Sequence, residues 1–378
     1  MGTNSTSLPQ QYSIFKKMSF IKFFMTFAVL ASHVLAGSRI WQPQVLAKFD
    51  RGASTSPLER RYFIIDETSS SVKKNHWKNG QIRYCYESEE AKTILDKDVK
   101  KAFEVWSTAG LDDISMAPAG EVECRENPYT VLHIIYTTGT LSTFVGFPWP
   151  NNEIYKEPGK LSMRLSDRTD IGNLDKIGNY AHELGHALGL FHEHQNPAFW
   201  RDVNDADRGT DFGPNNFNCQ NLNDYDEAQR KFQIKYPLSE MADTLCISRT
   251  RSNEFDFSAS DFLPLQSEMG KAHEDGGVDW DSIMIYNSGV GGRIDPSIPG
   301  DDKRLPVLLK NDGSRIQINN APSTQDIAGV SELYPKKPAS SKEVLHQKGS
   351  TSTMRTFMER FNLSKKKGGK GGGSSGCL

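Results

Sequence analysis

The sequence predicts an α+β fold, on three observations. Alternating or β-branched runs stand at residues 81–88 (QIRYCYES), 129–138 (YTVLHIIYTT) and 160–166 (KLSMRLS). Stretches with apolar residues at helical spacing stand at 91–110, 174–188 and 323–334. The two kinds are interspersed along one chain of 378 residues, long enough to bury a sizeable core.

Taken in order, residues 18–36 (MSFIKFFMTFAVLASHVLA) have the layout of a secretory signal peptide. Lys16, Lys17 and Lys22 precede an apolar run from Phe23 to Ala31, and Ala36 closes it at a cleavage position. The polar first 17 residues make Met18 an alternative start, and the leader is expected to span 1–36. Residues 37–75, with Pro43, Pro57, Ser/Thr patches and basic pairs at Arg60-Arg61 and Lys73-Lys74, read as a pro-segment or N-terminal arm lacking its own core. The body of the protein is expected over 76–335.

Within the body, Ile94, Val99, Phe103 and Trp106 share one helical face, and Gly110 is a stop signal. The run at 129–138 reads as a central strand, 139–160 as loop or hairpin, and 160–166 as a strand with a free edge. A helix is expected from about 174 to 188, with Ile177, Tyr180, Ala181, Leu184 and Leu188 facing inward. The polar stretch over about 203–275 is too long for an ordinary connection, so it reads as an insertion, with one helical piece at 223–232. Ser323 is an N-cap candidate for the final helix, which buries Ile327, Val330 and Leu333. Beyond it, 336–378 is a basic, Gly/Ser-rich tail that reads as disordered.

Composition excludes several functions. The formal net charge of -2 combines ten Lys/Arg against two Glu in the tail, a net of +8, with -10 for the remainder, so a nucleic-acid-binding body is not expected. No run of 18 apolar residues exists, and stable membrane insertion is not expected. Five cysteines, at 85, 124, 219, 246 and 377, suit a secreted protein with one or two staples. Pairing 85 with 124 and 219 with 246 gives the shortest loops of three connectivities for the four in the body, and Cys377 is left over.

The chemistry is concentrated in residues 182–193, HELGHALGLFHE. His182 and His186 leave one helical face a turn apart and can bind one ion. Glu183 is rotated about 100° from His182, near enough to reach a water at the ion without ligating it. Gly189 can end the helix with a positive φ, turning the chain so that His192 returns to the same ion. Three neutral nitrogens with one open position is the donor set of a catalytic zinc, one per chain.

The full H-E-x-x-H-x-x-G-x-x-H string resembles the zinc endopeptidases of the metzincin clan, and most specifically the astacin group. Three further pieces carry the narrower resemblance: Glu193 directly after the third histidine, DWDSIMIYN at 279–287, and STQDIAGVSELY at 323–334. The resemblance implies a metzincin-type two-subdomain fold with a mixed sheet, a metal-binding helix and a Met-turn. By it, Met284 lies under the zinc, Tyr286 is a fifth ligand or oxyanion donor, and Glu183 is the base that moves the water proton to the leaving amine. It also implies protein or peptide substrates, an extracellular location and an inhibitory pro-segment, in which Asp50 of Phe49-Asp50-Arg51-Gly52 is the candidate zinc blocker. Oligomeric state is left open.

The departures are specific. After the third histidine the chain has Gln195-Asn196-Pro197 in place of the usual Arg, and residues 139–146 lack the usual cysteine. Met284 follows His192 by 92 positions, and residues between Phe199 and Val278 match nothing in the pattern. Two other functions compete: a catalytically inactive secreted binding protein on the same fold, and a zinc hydrolase of non-peptide amides. Another metzincin subfamily is the nearest structural alternative. His133, His194, His76, His273 and His346 are expected to lie outside the metal site.

Overall fold

The structure, a computed structural model, describes residues 62–65, 76–127, 129–147, 161–200, 211–237, 241–265, 271–272 and 277–335. The expected leader, Asp50 and the basic tail therefore lie outside the described residues. In chain order the elements are β1 (Phe63–Ile64), β2 (Gln81–Tyr86), α1 (Glu89–Thr108), β3 (Ser115–Pro118), α2 (Glu121–Glu126), β4 (Leu132–Tyr136), β5 (Ser142–Thr143), β6 (Ser162–Leu165), α3 (Lys176–Leu188), α4 (Tyr225–Lys235), α5 (Arg249–Glu254), β7 (Lys271–Ala272) and α6 (Thr324–Leu333), with short 3-10 turns between several of them.

The main sheet has the order β3-β2-β4-β6-β5. Four strands run parallel, and β5 pairs antiparallel with β6. This is the mixed sheet of the α+β expectation, with one correction. The strand in KLSMRLS has neighbours on both sides, and the edge belongs to β5. The alternation of Leu161, Met163 and Leu165 shows which face is buried but carries no information about which strand lies outermost.

Helix α1 starts where Ser88 accepts the amide of Ala91, and Gly110, at φ 113°, follows its end. It packs across α3, with Trp106 donating its indole N–H to Ala181 O at 2.8 Å. Trp77 does the same one turn and a half later, to Ala187 O at 2.8 Å. Each indole thus satisfies its buried polar group on the backbone of α3 and fixes that helix against the sheet side of the core. Helix α3 begins at Asp175, whose carboxylate accepts Gly178 N, and ends at Gly189 with φ 109°. Helix α6 carries a complete capping box between Ser323 and Asp326.

The N-terminal arm is more integrated than its composition suggests. Tyr62, Phe63, Ile64 and Ile65 are 1–3% exposed. Strand β1 pairs antiparallel with β7, Ile65 N donates to Gly189 O at 3.0 Å, and Phe191 N donates to Phe63 O at 2.8 Å. Four consecutive apolar residues give no helical or strand period, yet they fill a slot beside the turn that ends α3. Residues 62–65 are therefore part of the core of the body.

Among the described residues of the expected insertion, Phe232, Tyr236, Phe255 and Phe257 join the core, and α4 is slightly longer than the 223–232 expectation. Cys219 and Cys246 are joined, closing a separation of 27 residues and stabilising the folded state by about 3–4 kcal/mol on chain entropy alone. The second short-loop pairing is not formed here, since Cys85 and Cys124 are both free thiols. No helix among the described residues is long and apolar enough to cross a membrane.

Candidate metal centre

His182 and His186 project from α3, and His192 comes from the segment after the Gly189 turn. All three are at most 1% exposed. Their Nε2 atoms converge: 3.0 Å separates His186 from His192, and 3.1 Å separates His192 from His182. Each Nδ1 is engaged elsewhere. His182 Nδ1 donates to Ile283 O at 2.7 Å, His186 Nδ1 to Leu190 O at 2.8 Å, and His192 Nδ1 to Gln195 Oε1 at 3.0 Å.

Those bonds fix the tautomer of every ring, leaving Nε2 as an unprotonated acceptor. Three acceptors crowded together cannot satisfy one another, and protonation is opposed: burial lowers the pKa of all three, to about 4 for His186, and neighbouring imidazoles lower His182 and His192 further. A cation resolves the conflict. Nitrogens bound to zinc at about 2.0–2.1 Å with tetrahedral angles are about 3.3 Å apart, close to the spacing found here. Among the described residues this is the cluster of three potential ligands that fits a metal ion.

Glu183 is fully buried next to the first histidine. Its Oε2 accepts the Thr143 hydroxyl at 2.5 Å, while its Oε1 is a buried acceptor without a partner. Burial pushes its pKa up to about 8, against the lowering effect of the Thr143 bond. Thr143 lies on the edge strand β5, so the sheet edge and the metal helix meet at this carboxylate.

Met284 lies beneath the helix. A Cβ at Gly185 would collide with Met284 Sδ and the Trp106 ring, so only glycine permits the approach between the two helical ligands. The Met284 turn is tied from both sides. Glu193 N donates to Met284 O at 3.1 Å, and Glu193 Oε1 accepts Asp279 N at 3.1 Å. From α6, Asp326 accepts Ser282 Oγ at 2.7 Å and Ile283 N at 2.9 Å, and the carbonyl oxygen of Ile283 accepts from His182. The final helix thus reaches the first ligand through the backbone of one residue.

Tyr286 is fully buried with its ring 4.4 Å from the His192 ring, centroid to centroid. Phe262 packs on it edge-on at 5.2 Å. Burial, then the charges of Asp261 and Glu183, hold its pKa well above the usual tyrosine value, so the phenol keeps its proton at neutral pH. His194 is turned out of the ligand cluster: it takes Tyr286 N on Nδ1 at 3.3 Å and places Nε2 3.1 Å from Asp261 O. His133 lies on β4, where its Nδ1 is 3.7 Å from Cys85 Sγ.

Sequence reasoning missed the support around His192. Gln195 stood out only as a departure, yet it takes His192 Nδ1–H and donates through Nε2 to Asp261 O at 2.9 Å. Arg249 in turn donates to the carbonyls of Ser260 and Leu263. The unmatched insertion therefore builds the wall behind the third ligand. Asp261 acts there through its backbone oxygen, for which no side-chain pattern exists. Gln195→Leu should weaken zinc affinity about 10–100-fold by chelator competition, with Gln195→Glu, which keeps the acceptor, falling between it and the parent. Equal affinity in all three would remove Gln195 from ligand orientation.

No protein-family model matches the sequence, and no characterised relative matches it. Among solved structures the chain is similar to high choriolytic enzyme 1, a hatching-enzyme zinc-protease from Oryzias latipes, at 20% identity and TM-score 0.40, covering 72% of this chain and all of that one. It is also similar to two structures of myroilysin, both at 14% identity, with TM-scores of 0.36 and 0.34. These cover 70% and 69% of this chain, and 97% and 86% of theirs. The chain resembles astacin-like zinc metalloproteases in its motifs, and it brings three histidines together in one buried site.

Proposed function

We propose that this chain is a secreted, astacin-like zinc endopeptidase that hydrolyses peptide bonds in protein or peptide substrates. One observation carries the reading: three buried Nε2 acceptors converge with their tautomers fixed, beside a buried carboxylate that has a free oxygen. His182, His186 and His192 hold one zinc ion, which when bound supplies Lewis acidity to a substrate carbonyl and lowers the pKa of a water. A cation bound beside it would offset the burial that raises the Glu183 pKa, so that the ionised Glu183 can accept a water proton on Oε1, kept in place by Thr143 on Oε2, and deliver it to the leaving amine. Tyr286, protonated at neutral pH, donates to the oxyanion that develops on the carbonyl. Met284 is the apolar floor that fixes the spacing of the helical ligands.

Substrate recognition follows from the sheet. An extended peptide is placed along the β5 side of the sheet, where Ser142 and Thr143 are buried in this structure and Thr143 bonds the general base. The catalytic domain spans 76–335 together with the core residues 62–65. The signal-like residues 1–36 and the Cys219–Cys246 bond support an extracellular location.

The test is metal analysis joined to hydrolysis of a quenched fluorescent peptide. One zinc per chain is expected, with activity lost to a chelator and restored by stoichiometric zinc. A zinc-loaded protein inert toward every peptide would favour the binding-protein reading, and turnover of non-peptide amides alone would favour the amidase. Absence of zinc from the purified protein, with no uptake on addition, would overturn the metal site itself.

A further inference from the structure

A second buried polar network starts at Asn287, the residue after Tyr286. The Asn287 amide donates to Gly172 O at 3.1 Å and to Asn173 Oδ1 at 3.0 Å, and its Oδ1 accepts Gly289 N and Arg304 Nη2, both at 3.1 Å. Two donor hydrogens and two lone pairs are thus in use, which leaves the side chain one orientation. Arg304 Nη1 donates to the same Gly172 O at 2.9 Å, while its Nε and Nη2 grip the Asp302 carboxylate at 2.8 and 3.0 Å. A Cβ at Gly289 would collide with both members of that ion pair, so glycine lets the pair lie close against the backbone. The loop carrying Gly172 and Asn173 is tied in turn to the metal helix: Asn173 N donates to Asn179 Oδ1 at 2.7 Å, and Asn179 Nδ2 to Ile171 O at 3.2 Å. Asn179 lies on α3, three residues before His182. Arg304, Asn173, Asn179 and Asn287 are all buried.

We propose that Arg304 is a positioning residue of the proposed peptidase, an inference that rests on Tyr286 being its oxyanion donor: through Asn287, Arg304 sets where the Tyr286 hydroxyl stands relative to the ligand helix. The backbone of Tyr286 is held on one side by His194, which takes its amide, and on the other by the saturated side chain of Asn287. The hydroxyl is the part of the side chain farthest from the Cα, so a small turn of the backbone at 286–287 moves it most. A donor to a developing charge is sensitive to such a shift, since a misplacement of about 1 Å can cost up to a hundredfold in rate. Arg304 suits the task because its planar fork serves Gly172 O, Asn287 Oδ1 and the Asp302 carboxylate at once, which one ammonium group of a lysine cannot do. Asp302 balances the buried charge, so the guanidinium is held in place without a counter-ion from the metal site.

The experiment is a double-mutant cycle on the full zinc-loaded chain, with Arg304→Lys made in the parent and in the Tyr286→Phe background. Lysine keeps the charge that Asp302 needs. In the parent, kcat should fall roughly tenfold with KM and zinc content unchanged, and a crystal structure of the variant should show the Tyr286 hydroxyl displaced by about 0.5 Å or more from its place beside the histidines. In the Tyr286→Phe background the same substitution should cost nothing further, because the group it misplaces is already gone. Asp302→Asn, which slackens the grip on the guanidinium while keeping its shape, is the second variant should Arg304→Lys not fold, and it should show a smaller loss of the same pattern. An equal loss of kcat in both backgrounds would overturn the proposal, since Arg304 would then act through the fold at large. So would an unmoved hydroxyl, or parent-like kcat in Arg304→Lys. A displaced hydroxyl together with normal turnover of Tyr286→Phe would uphold the placement by Arg304 and put the failure on Tyr286 as the oxyanion donor.

Discussion

Replacing Glu183 with glutamine is expected to leave one zinc per chain and to lower kcat/KM by about three orders of magnitude, or roughly 4 kcal/mol of transition-state stabilisation. The substitution keeps the size of a fully buried side chain and retains an oxygen that can accept the Thr143 hydroxyl. What it removes is the basicity of the second oxygen. That oxygen has no protein partner, whereas its twin is occupied, so the carboxylate is asymmetric before any substrate arrives. The histidines are oriented by Ile283 O, Leu190 O and Gln195 Oε1, none of which involves Glu183, so metal content should not change. Activity in the variant above about a tenth of the parent value would assign the proton transfer to another group. Loss of zinc instead would make Glu183 part of the metal's support.

How much of this was legible in the sequence depends on the range of the interaction that fixes each part. His182, His186 and Gly189 are bound by local geometry, a helical turn and a left-handed cap, and their arrangement follows from spacing. The capping box of α6 is local too, and Ser323 gave it away. The wall behind His192 is not local: it joins Gln195 to Asp261 and Arg249 across more than fifty residues, and three of its acceptors, the oxygens of Asp261, Ser260 and Leu263, are main-chain carbonyls. The packing of residues 62–65 is illegible for a related reason. Four apolar residues in a Ser/Thr-rich, basic surrounding look like part of an arm, and only the slot between the Gly189 turn and α6 makes them core. The sheet edge failed differently: KLSMRLS shows a buried face, but strand order is decided by the connections, and the two-residue β5 is too short to leave a period.

Replacing Tyr286 with phenylalanine should cost about a hundredfold in kcat, or about 3 kcal/mol, with little change in KM or zinc content. The aromatic ring is held by packing that the substitution preserves: His192 and His194 flank it at 4.4 Å each, and Phe262 meets it edge-on. Its backbone amide is held by His194 as well. The variant therefore tests the hydroxyl alone. That hydroxyl stays protonated at neutral pH because burial disfavours the phenolate, which suits a donor to an oxyanion. Three histidines suffice to hold the ion, so the ground state should tolerate the loss of an oxygen contact. Normal turnover in the variant would reduce Tyr286 to a packing residue. Loss of zinc would make it a structural ligand, and in that event the resemblance would point to a metzincin outside the astacin group.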